Sequence, residues 1–145
     1  MSAEGSKFVN LCPVFLSPDI RRTVRFYTEK LGFKSAKHYE ETENFATLYR
    51  DDIEFVIVQA KQGEVLSNTQ RYGAGYDAYI DTASPEGIEP VYEEFKTHGV
   101  KILSEPHKTA YGSYEFVIED VDGRQIGIGK ILDETTYFKD SNFNA

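Results

Sequence analysis

The stretch SPDIRRTVRFYTEKLGF, residues 17–33, contains the signals of one complete capped helix. Serine is a favourable N-cap, proline is tolerated at the first helical position, and an aspartate there is stabilised by the helix dipole. Apolar side chains then recur at i, i+4, i+7 and i+11, which predicts one apolar helical face. They are Ile20, Val24, Tyr27 and Leu31. Gly32 stands where a left-handed C-cap is expected, so the helix should end there.

The same signals recur 67 residues further along the chain, although the residues themselves differ. Ser84 is followed by Pro85 and a glutamate, and in both copies the serine precedes a glycine by 15 residues (Gly32 and Gly99). A capped helix that is followed by strands and repeated once predicts a duplicated module.

Composition limits the classes of function. The chain has 145 residues, with 16 basic and 24 acidic side chains and a net charge of −8. This charge argues against nucleic-acid binding, which needs a basic surface, and is compatible with a cationic ligand. The single Cys12 cannot form an internal disulfide, and no apolar run is long enough to cross a bilayer. We therefore expect a cytoplasmic protein without a membrane partner.

Strand patterns surround both helices and predict two modules of the same order. In module one the strands are expected at 8–16, 34–41, 44–50 and 53–59. In module two the helix is expected at 85–98 and the strands at 75–81, 100–104, 113–119 and 125–131, with a loop at 105–110. Asp51-Asp52 and the DVDG segment at 120–123 are tight-turn signals. The prediction is a single domain over 1–145: module one at about 8–60, a linker at 61–73, module two at about 74–131 and a tail at 132–145.

Two parts of the chain resemble a known superfamily. The first comprises 13–33, which ends in FYTEKLGF, and the hairpin NFATLYRDD at 44–52. The second is YGSYEF at 111–116, which leads to DVDGR at 120–124. On these segments the chain resembles the vicinal-oxygen-chelate superfamily, which includes glyoxalase I, extradiol dioxygenases, fosfomycin-modifying enzymes and bleomycin-resistance proteins. The LGF stretch and the RDD hairpin are most similar to bleomycin-resistance proteins.

The resemblance implies the fold and the assembly. The fold class is α+β, with two repeated β-α-β-β-β modules whose curled mixed sheets surround a groove. In this superfamily two chains usually associate, and each groove is completed by the partner. We therefore expect a homodimer.

The metalloenzymes of the superfamily hold a divalent ion with His or Glu ligands on four groove strands. Carried over by register, these positions are Cys12, Val56, Gly75 and Gly127. None is a histidine or a carboxylate, and Glu54, two residues from Val56 on the same strand face, adds only one donor. The histidines fall elsewhere, at His38, His98 and His107. The prediction is therefore a protein without a metal and without a cofactor.

No catalytic residue is predicted. Ser17 and Ser113 have no histidine at a recognisable spacing, so a nucleophilic dyad is unsupported. Glu54, Asp77 and Glu115 lie in strands, and most such carboxylates are expected to face water. The strand glycines are expected to open the floor of the groove for a large ligand.

Strand alternation predicts the ligand-binding face. The residues expected to bind a ligand are Phe45, Tyr49, Glu54, Val56, Asp77, Tyr79, Tyr111 and Gly127. Tyr111 occupies the place where bleomycin-resistance proteins often have a tryptophan that stacks on planar ligand rings. The alternative for each aromatic residue is the core or a dimer interface, and Leu11 and Tyr76 are expected to pack under the helices. Acidic side chains beside aromatic rings suit a flat cation.

The function predicted on this basis is a metal-free, dimeric, bleomycin-resistance-like protein that sequesters a bulky cationic organic molecule and thereby confers antibiotic resistance. The interpretation favours binding over catalysis. One alternative is a metalloenzyme of the glyoxalase I or extradiol dioxygenase type with unorthodox or partner-supplied ligands. Another is a small-molecule enzyme that uses acid–base chemistry through Glu54 or Asp77.

Overall fold

Strands and helices alternate in the same order twice along the chain, which a computed structural model describes over residues 3–36 and 44–133. Module one contains β1 (Val14–Ser17), α1 (Ile20–Glu29), β2 (Lys34–Ser35), β3 (Phe45–Arg50) and β4 (Ile53–Gln59). A short helix, α2 (Asn68–Tyr72), connects the modules. Module two contains β5 (Ala78–Asp81), a 3-10 turn (Pro85–Gly87), α3 (Ile88–Thr97), β6 (Lys101–Lys108), β7 (Ser113–Glu119) and β8 (Gln125–Ile131). A further 3-10 turn covers Ala3–Ser6.

Each module forms its own four-stranded mixed sheet. The strand orders are β1-β4-β3-β2 and β5-β8-β7-β6, so the two sheets have the same topology. In each, the first strand pairs in parallel with the last, and the remaining pairs are antiparallel. The sheets are curled and open rather than closed into a barrel. This confirms the predicted α+β fold of two repeated modules.

Buried side chains of both modules form one hydrophobic cluster. In module one the ring of Phe55 stacks on Phe15 at 5.2 Å between centroids and meets Tyr27 edge-on at 5.4 Å. In module two Phe116 lies edge-on against Tyr92 at 5.5 Å. Each such buried ring contributes about 1.5–3 kcal/mol to folding. The hydrophobic cluster packs on one face of each sheet. Because successive side chains of a strand point to opposite faces, the other face of each sheet is where a functional site can form. In the ranges that the structure describes, no helix is long and apolar enough to span a membrane.

The start of α1 differs from the prediction. Asp19, not Ser17, is the N-cap: its carboxylate accepts a hydrogen bond from the backbone N–H of Arg22 at 3.2 Å. Ser17 is still part of β1, and its buried hydroxyl lies 2.7 Å from that of Thr23. The helix also ends earlier than predicted. Lys30, in a right-handed conformation, is the C-cap, and the left-handed φ of +74° occurs at Gly32, two residues later.

The first predicted strand, 8–16, is shortened to four residues. Pairing with β4 begins where the carbonyl of Pro13 accepts from the N–H of Val56, and the preceding residues form no strand. Leu11 is 96% exposed, so the prediction that it packs under α1 was wrong. A proline interrupts the ladder because it offers no N–H.

Two connecting regions also differ from expectation. β6 continues through 105–108, where a loop was predicted, with register shifts after Ile102 and Ser104. Pro106 is tolerated there because β6 is an edge strand. The predicted linker contains α2, which Ser67 begins in a capping box with Gln70. The part of the second strand expected at 37–41 and the tail from residue 134 onward lie outside the described residues.

A buried polar network joins the two modules at what we call the first seam, where the β7–β8 turn meets α1. The guanidinium of Arg124 donates to Asp120 at 2.9 Å and to Asp122 at 3.0 Å. From α1, the hydroxyl of Tyr27 donates to Asp120 at 2.8 Å and Arg22 donates to Asp122 at 2.7 Å. Burial acts to lower the pKa of Arg124, but the charge of Asp120 outweighs it and the pKa is raised. Arg124 therefore remains a cation inside the protein.

Replacing Asp120 should weaken the first seam. We expect Asp120→Asn to lower the free energy of unfolding by about 3 kcal/mol, the lower end for a broken buried pair, because Asp122 still pairs with Arg124. The control is Glu119→Gln, which breaks the exposed pair with Lys101 (2.9 Å) and should cost less than about 1 kcal/mol. Urea denaturation measures both variants. Equal losses in the two would contradict a special role of the first seam.

Candidate functional site

A buried carboxylate lies on the face of sheet two that points away from the core. Glu115 of β7 is 0% exposed and accepts hydrogen bonds from four hydroxyl groups. Tyr79 donates at 3.0 Å, Tyr111 at 2.6 Å and Ser113 at 2.6 Å, all to Oε1. Tyr76 donates to Oε2. We call these five residues the tyrosine–glutamate cluster.

Two glycines of β8 make room for this cluster. Gly129 pairs with Glu115 across the sheet, and a Cβ built on Gly129 would overlap the hydroxyl of Tyr79 and lie 2.6 Å from the Cβ of Glu115. A Cβ on Gly127 would lie 2.8 Å from the Tyr79 ring and 3.0 Å from the Tyr76 ring. The rings of Tyr76 and Tyr79 stack at 5.9 Å with an interplanar angle of 30°. The space that the glycines were expected to leave for a ligand is thus occupied by tyrosine rings of the same chain.

The cluster holds a negative charge beneath neutral phenols. Burial acts to raise the pKa of the Glu115 carboxyl, but its hydrogen bonds from Ser113 and the three tyrosines outweigh this, and the pKa is lowered. Burial raises the pKa of Tyr76 strongly, and the hydrogen bond to Glu115 adds to the rise. Burial also raises the pKa of Tyr79 and Tyr111. At neutral pH the carboxylate is therefore ionised and the phenols are protonated.

This arrangement suits binding better than proton transfer. A general base needs a free lone pair and a pKa near the working pH, whereas Oε1 of Glu115 already accepts three hydrogen bonds and its pKa is lowered. The charge still attracts cations, because neutral hydroxyls do not cancel it. Tyr79 and Tyr111 are 39% and 54% exposed, so aromatic surface faces solvent above the charge.

Three of the predicted binding residues meet at this cluster, namely Tyr79, Tyr111 and Gly127. Tyr76 was expected under the helices, but its hydroxyl reaches Glu115, so that prediction was wrong. The reason is that β5 begins only at Ala78, and strand alternation does not extend back to Tyr76. Glu115 does not face water, and its partner Ser113 was not expected in a binding site. The spacing of Ser113 and Glu115 could have predicted their contact, since positions i and i+2 lie on the same face of a strand.

Asp77, another predicted binding residue, holds the backbone instead. Its carboxylate accepts from the N–H of Asn68 at 2.9 Å and from the N–H of Gln125 at 2.8 Å. It thereby ties the first residue of α2 to the first residue of β8. Because both carboxylate oxygens of Asp77 accept backbone hydrogen bonds, the residue stabilises the segment that leads into β5.

The remaining predicted residues lie together on sheet one, away from the tyrosine–glutamate cluster. Tyr49 of β3 lies directly opposite Glu54 of β4, and the neighbouring pairs are Thr47 with Val56 and Phe45 with Val58. Phe45 and Tyr49 are partly exposed, and Glu54 accepts a hydrogen bond from the side chain of Asn10. The structure therefore divides the predicted residues between the faces of two different sheets, and each face carries aromatic rings and a carboxylate.

The four positions that correspond to metal ligands do not fit a metal centre. Val56 and Gly127 carry no donor atom, and the space above Gly127 is filled by tyrosine rings. Gly75 precedes β5, and its carbonyl is engaged by the hydroxyl of Thr69 at 2.8 Å. Within residues 3–36 and 44–133, no three His, Cys, Asp or Glu side chains are grouped so that they could hold an ion. His38 lies outside the described residues.

The paired β-α-β-β-β modules, each with its own curled four-stranded sheet, define the fold class of the chain. The sequence model of the glyoxalase/bleomycin resistance protein/dioxygenase superfamily matches residues 13–128. The chain therefore belongs to this superfamily. A search of curated proteins finds no match.

Solved structures of the same fold come from several bacteria. A glyoxalase/bleomycin resistance protein/dioxygenase from Alicyclobacillus acidocaldarius is 17% identical, with a TM-score of 0.68 over 86% of this chain and 92% of that one. One from Nocardioides is 16% identical, with a TM-score of 0.64 over 90% and 91%. TioX from Micromonospora sp. ML1 is 13% identical, with a TM-score of 0.61 over 85% and 100%. At these identities the likeness shows the fold alone.

A methyl group at Gly129 should disrupt the cluster. We expect Gly129→Ala to destabilise the protein by about 1–3 kcal/mol, as overpacking does, because its Cβ would overlap the Tyr79 hydroxyl. Gly5→Ala is the control, since a Cβ there meets nothing within 4 Å. The chain has no tryptophan, so near-UV circular dichroism reports on tyrosine packing beside urea denaturation. An unchanged tyrosine signal in Gly129→Ala would contradict the described packing.

The lowered pKa of Glu115 should make the protein sensitive to acid. A carboxyl whose pKa is lower in the folded state than its ordinary 4.5 stabilises the fold above that pH, and the contribution is lost as the pH falls through the folded-state pKa. We expect Glu115→Gln to be less stable at pH 7 and to lose less stability than the wild type below pH 4.5. Tyr111→Phe, which removes one of the four donors, should lie between them. Parallel curves of unfolding free energy against pH would refute this assignment.

Proposed function

We propose that this protein sequesters a flat organic cation without chemical turnover, in the manner of bleomycin-resistance proteins. The observation that carries the proposal is the ionised carboxylate of Glu115 beneath the exposed rings of Tyr79 and Tyr111. A cationic aromatic ligand gains both from the charge and from stacking on the phenol rings. The same carboxylate is poorly suited to act as a base, which favours binding over catalysis.

We further propose that two chains associate and that sheet one of the partner completes the groove. In support, module one exposes several apolar side chains before and along β1. They are Phe8, Val9, Leu11, Val14 and Leu16. Exposed apolar patches of this kind usually mark interaction sites. Association would also bring a second, partly apolar sheet face opposite the tyrosine–glutamate cluster, as a bulky amphipathic ligand requires.

The competing functions find less support among the described residues. A metalloenzyme would need ligands at Cys12, Val56, Gly75 and Gly127, of which only Cys12 carries a donor side chain. Acid–base catalysis through Asp77 would require the loss of two backbone hydrogen bonds. Glu54 already accepts from Asn10 and has no neighbouring acid among the contacts described.

The test is calorimetric titration of chelator-treated protein with metal-free bleomycin and with a flat cationic dye such as ethidium. We expect saturable binding to the wild type and binding weaker by about tenfold or more in Glu115→Gln, because a buried charged partner is lost. Glu119→Gln on the same strand is the matched control, since its carboxylate bonds Lys101 outside the cluster. Circular dichroism confirms folding of each variant, and sedimentation of the same samples gives the number of chains per particle.

Two results would overturn the proposal. Equal ligand affinity in Glu115→Gln and Glu119→Gln would remove Glu115 from the binding site. Saturable uptake of zinc, nickel, manganese or ferrous iron near one ion per chain would favour the metalloenzyme instead.

A further inference from the structure

A cavity of about 470 Å³ opens between the modules, on the face of sheet two opposite to the one that carries the tyrosine–glutamate cluster. It lies where the β3–β4 turn of module one meets the end of β5 and the start of α3, which we call the second seam. Its apolar lining is provided by Phe33, Ile53, Ile80, Val91, Phe95 and Ile128. Cavities of several hundred cubic ångströms with mainly apolar walls are the usual size of small-molecule sites.

Because the two modules have the same strand order, each residue of the second seam can be compared with its counterpart in the first seam. In module two the turn is closed by the pair Asp120 and Arg124, and in module one by the pair Arg50 and Ile53. Four residues beyond Arg124, Ile128 pairs with Ile80 of β5. Four residues beyond Ile53, Ile57 pairs with Phe15 of β1 in the same way. Thus Ile53 is the counterpart of Arg124, and Ile80 is the counterpart of Phe15.

At the first seam a cation fills the corresponding space. The guanidinium carbon of Arg124 lies 4.6 Å from the centre of the Phe15 ring, while its N–H groups donate to Asp120 and Asp122. At the second seam Ile53 is too short to fill this space, and both Ile53 and Ile80 line the cavity. Module one therefore has no side chain at this position that fills the volume occupied by Arg124 in the first seam.

The negative charges around the cavity are only partly compensated: Asp51 lies 3.8 Å from Arg50, whereas Asp52 and Asp81 have no such partner among the described residues. Asp51, Asp52 and Asp81 line it and are exposed, which places them at its mouth. The one lining cation, Arg50, is already used: it donates to both carboxylate oxygens of Glu94 at 2.8 and 2.9 Å and to the carbonyl of Leu31 at 2.8 Å. Among the described residues, the carboxylates of Asp52 and Asp81 have no hydrogen bond or ion pair. The cavity therefore combines an apolar floor with net negative charge.

We propose that the second seam is a separate binding site for a small amphiphilic cation, an amidinium, guanidinium or primary ammonium group on a hydrophobic body. The apolar body would lie on Ile53 and Ile80, and the cation would lie toward Asp52 and Asp81, as Arg124 lies between aspartates in the first seam. The site shares no residue with the tyrosine–glutamate cluster and does not depend on the function proposed for that cluster.

The test uses 4-phenylbenzamidine as the probe and 4-phenylbenzamide as its uncharged counterpart, titrated into the full chain labelled with ¹⁵N. We expect amide shifts at 50–53 and 80–83, and affinity for the amidine at least about tenfold above that for the amide, as for hydrogen bonds to charged groups. The double variant Asp52→Asn/Asp81→Asn changes only exposed side chains and should weaken amidine binding by about tenfold. Glu105→Gln, an exposed change on β6, is the control and should bind as the wild type does.

Two further variants separate this site from the groove. Ile53→Arg, which restores the residue type of the first seam, should fill the cavity and abolish the shifts at 80–83. Glu115→Gln should leave those shifts intact even where it weakens groove binding. Equal affinity for amidine and amide, undiminished binding in the double aspartate variant, or shifts confined to the tyrosine–glutamate cluster would each overturn the proposal.

Discussion

The buried ion pair between Asp120 and Arg124 is the interaction on which the arrangement of the two modules depends. Arg124 is 4% exposed, lies over Phe15 of module one and also donates to the carbonyl of Leu16. Removing charges from water is costly unless every donor and acceptor is satisfied. Tyr27 supplies a further donor to Asp120 from α1, so the pair is fully bonded only when the two modules are docked. The pair thereby makes docking specific as well as stable.

The second seam also joins a hairpin to a helix, with the signs of the charges reversed. There the turn contributes a cation, Arg50, and α3 contributes the anion, Glu94, with two parallel hydrogen bonds between them. Each module thus binds the helix of the other through its own last hairpin. Ile53 stands where the first seam has Arg124, so the guanidinium that fills the first seam has no equivalent at that position of the second. The difference in cavity between the seams follows from that substitution.

The parts of the fold that the sequence predicted correctly depend on local chemistry. β4, β7 and β8 begin and end as expected, because strong turn residues bound them and their apolar alternation is regular. The predictions were wrong where the conformation depends on contacts with residues that are distant in sequence. Ser17 has the chemistry of a cap, but its hydroxyl bonds that of Thr23 and the residue stays in β1. Residues 8–13 have the pattern of a strand but pair with no strand in the part of the chain that the structure describes. At the site, Tyr79 and Tyr111 were predicted individually, but their shared partner Glu115 was not. Convergence on one carboxylate requires the register of β7 against β8, which no local pattern encodes.

The tyrosine–glutamate cluster shows how a superfamily groove can change its chemistry while keeping its fold. At Gly127, where the resemblance implies a metal ligand, a side chain would collide with Tyr76 and Tyr79. The loss of side chains at Gly127 and Gly129 is what allows these rings to lie across β8 and reach Glu115. The negative charge of Glu115 is stabilised by four hydroxyl donors, which keep it ionised without cancelling it. In the function that we propose, this surface attracts cations and offers them aromatic faces in place of a set of coordinating atoms. Selection would then depend on the shape and charge of an organic ligand rather than on the coordination geometry of an ion.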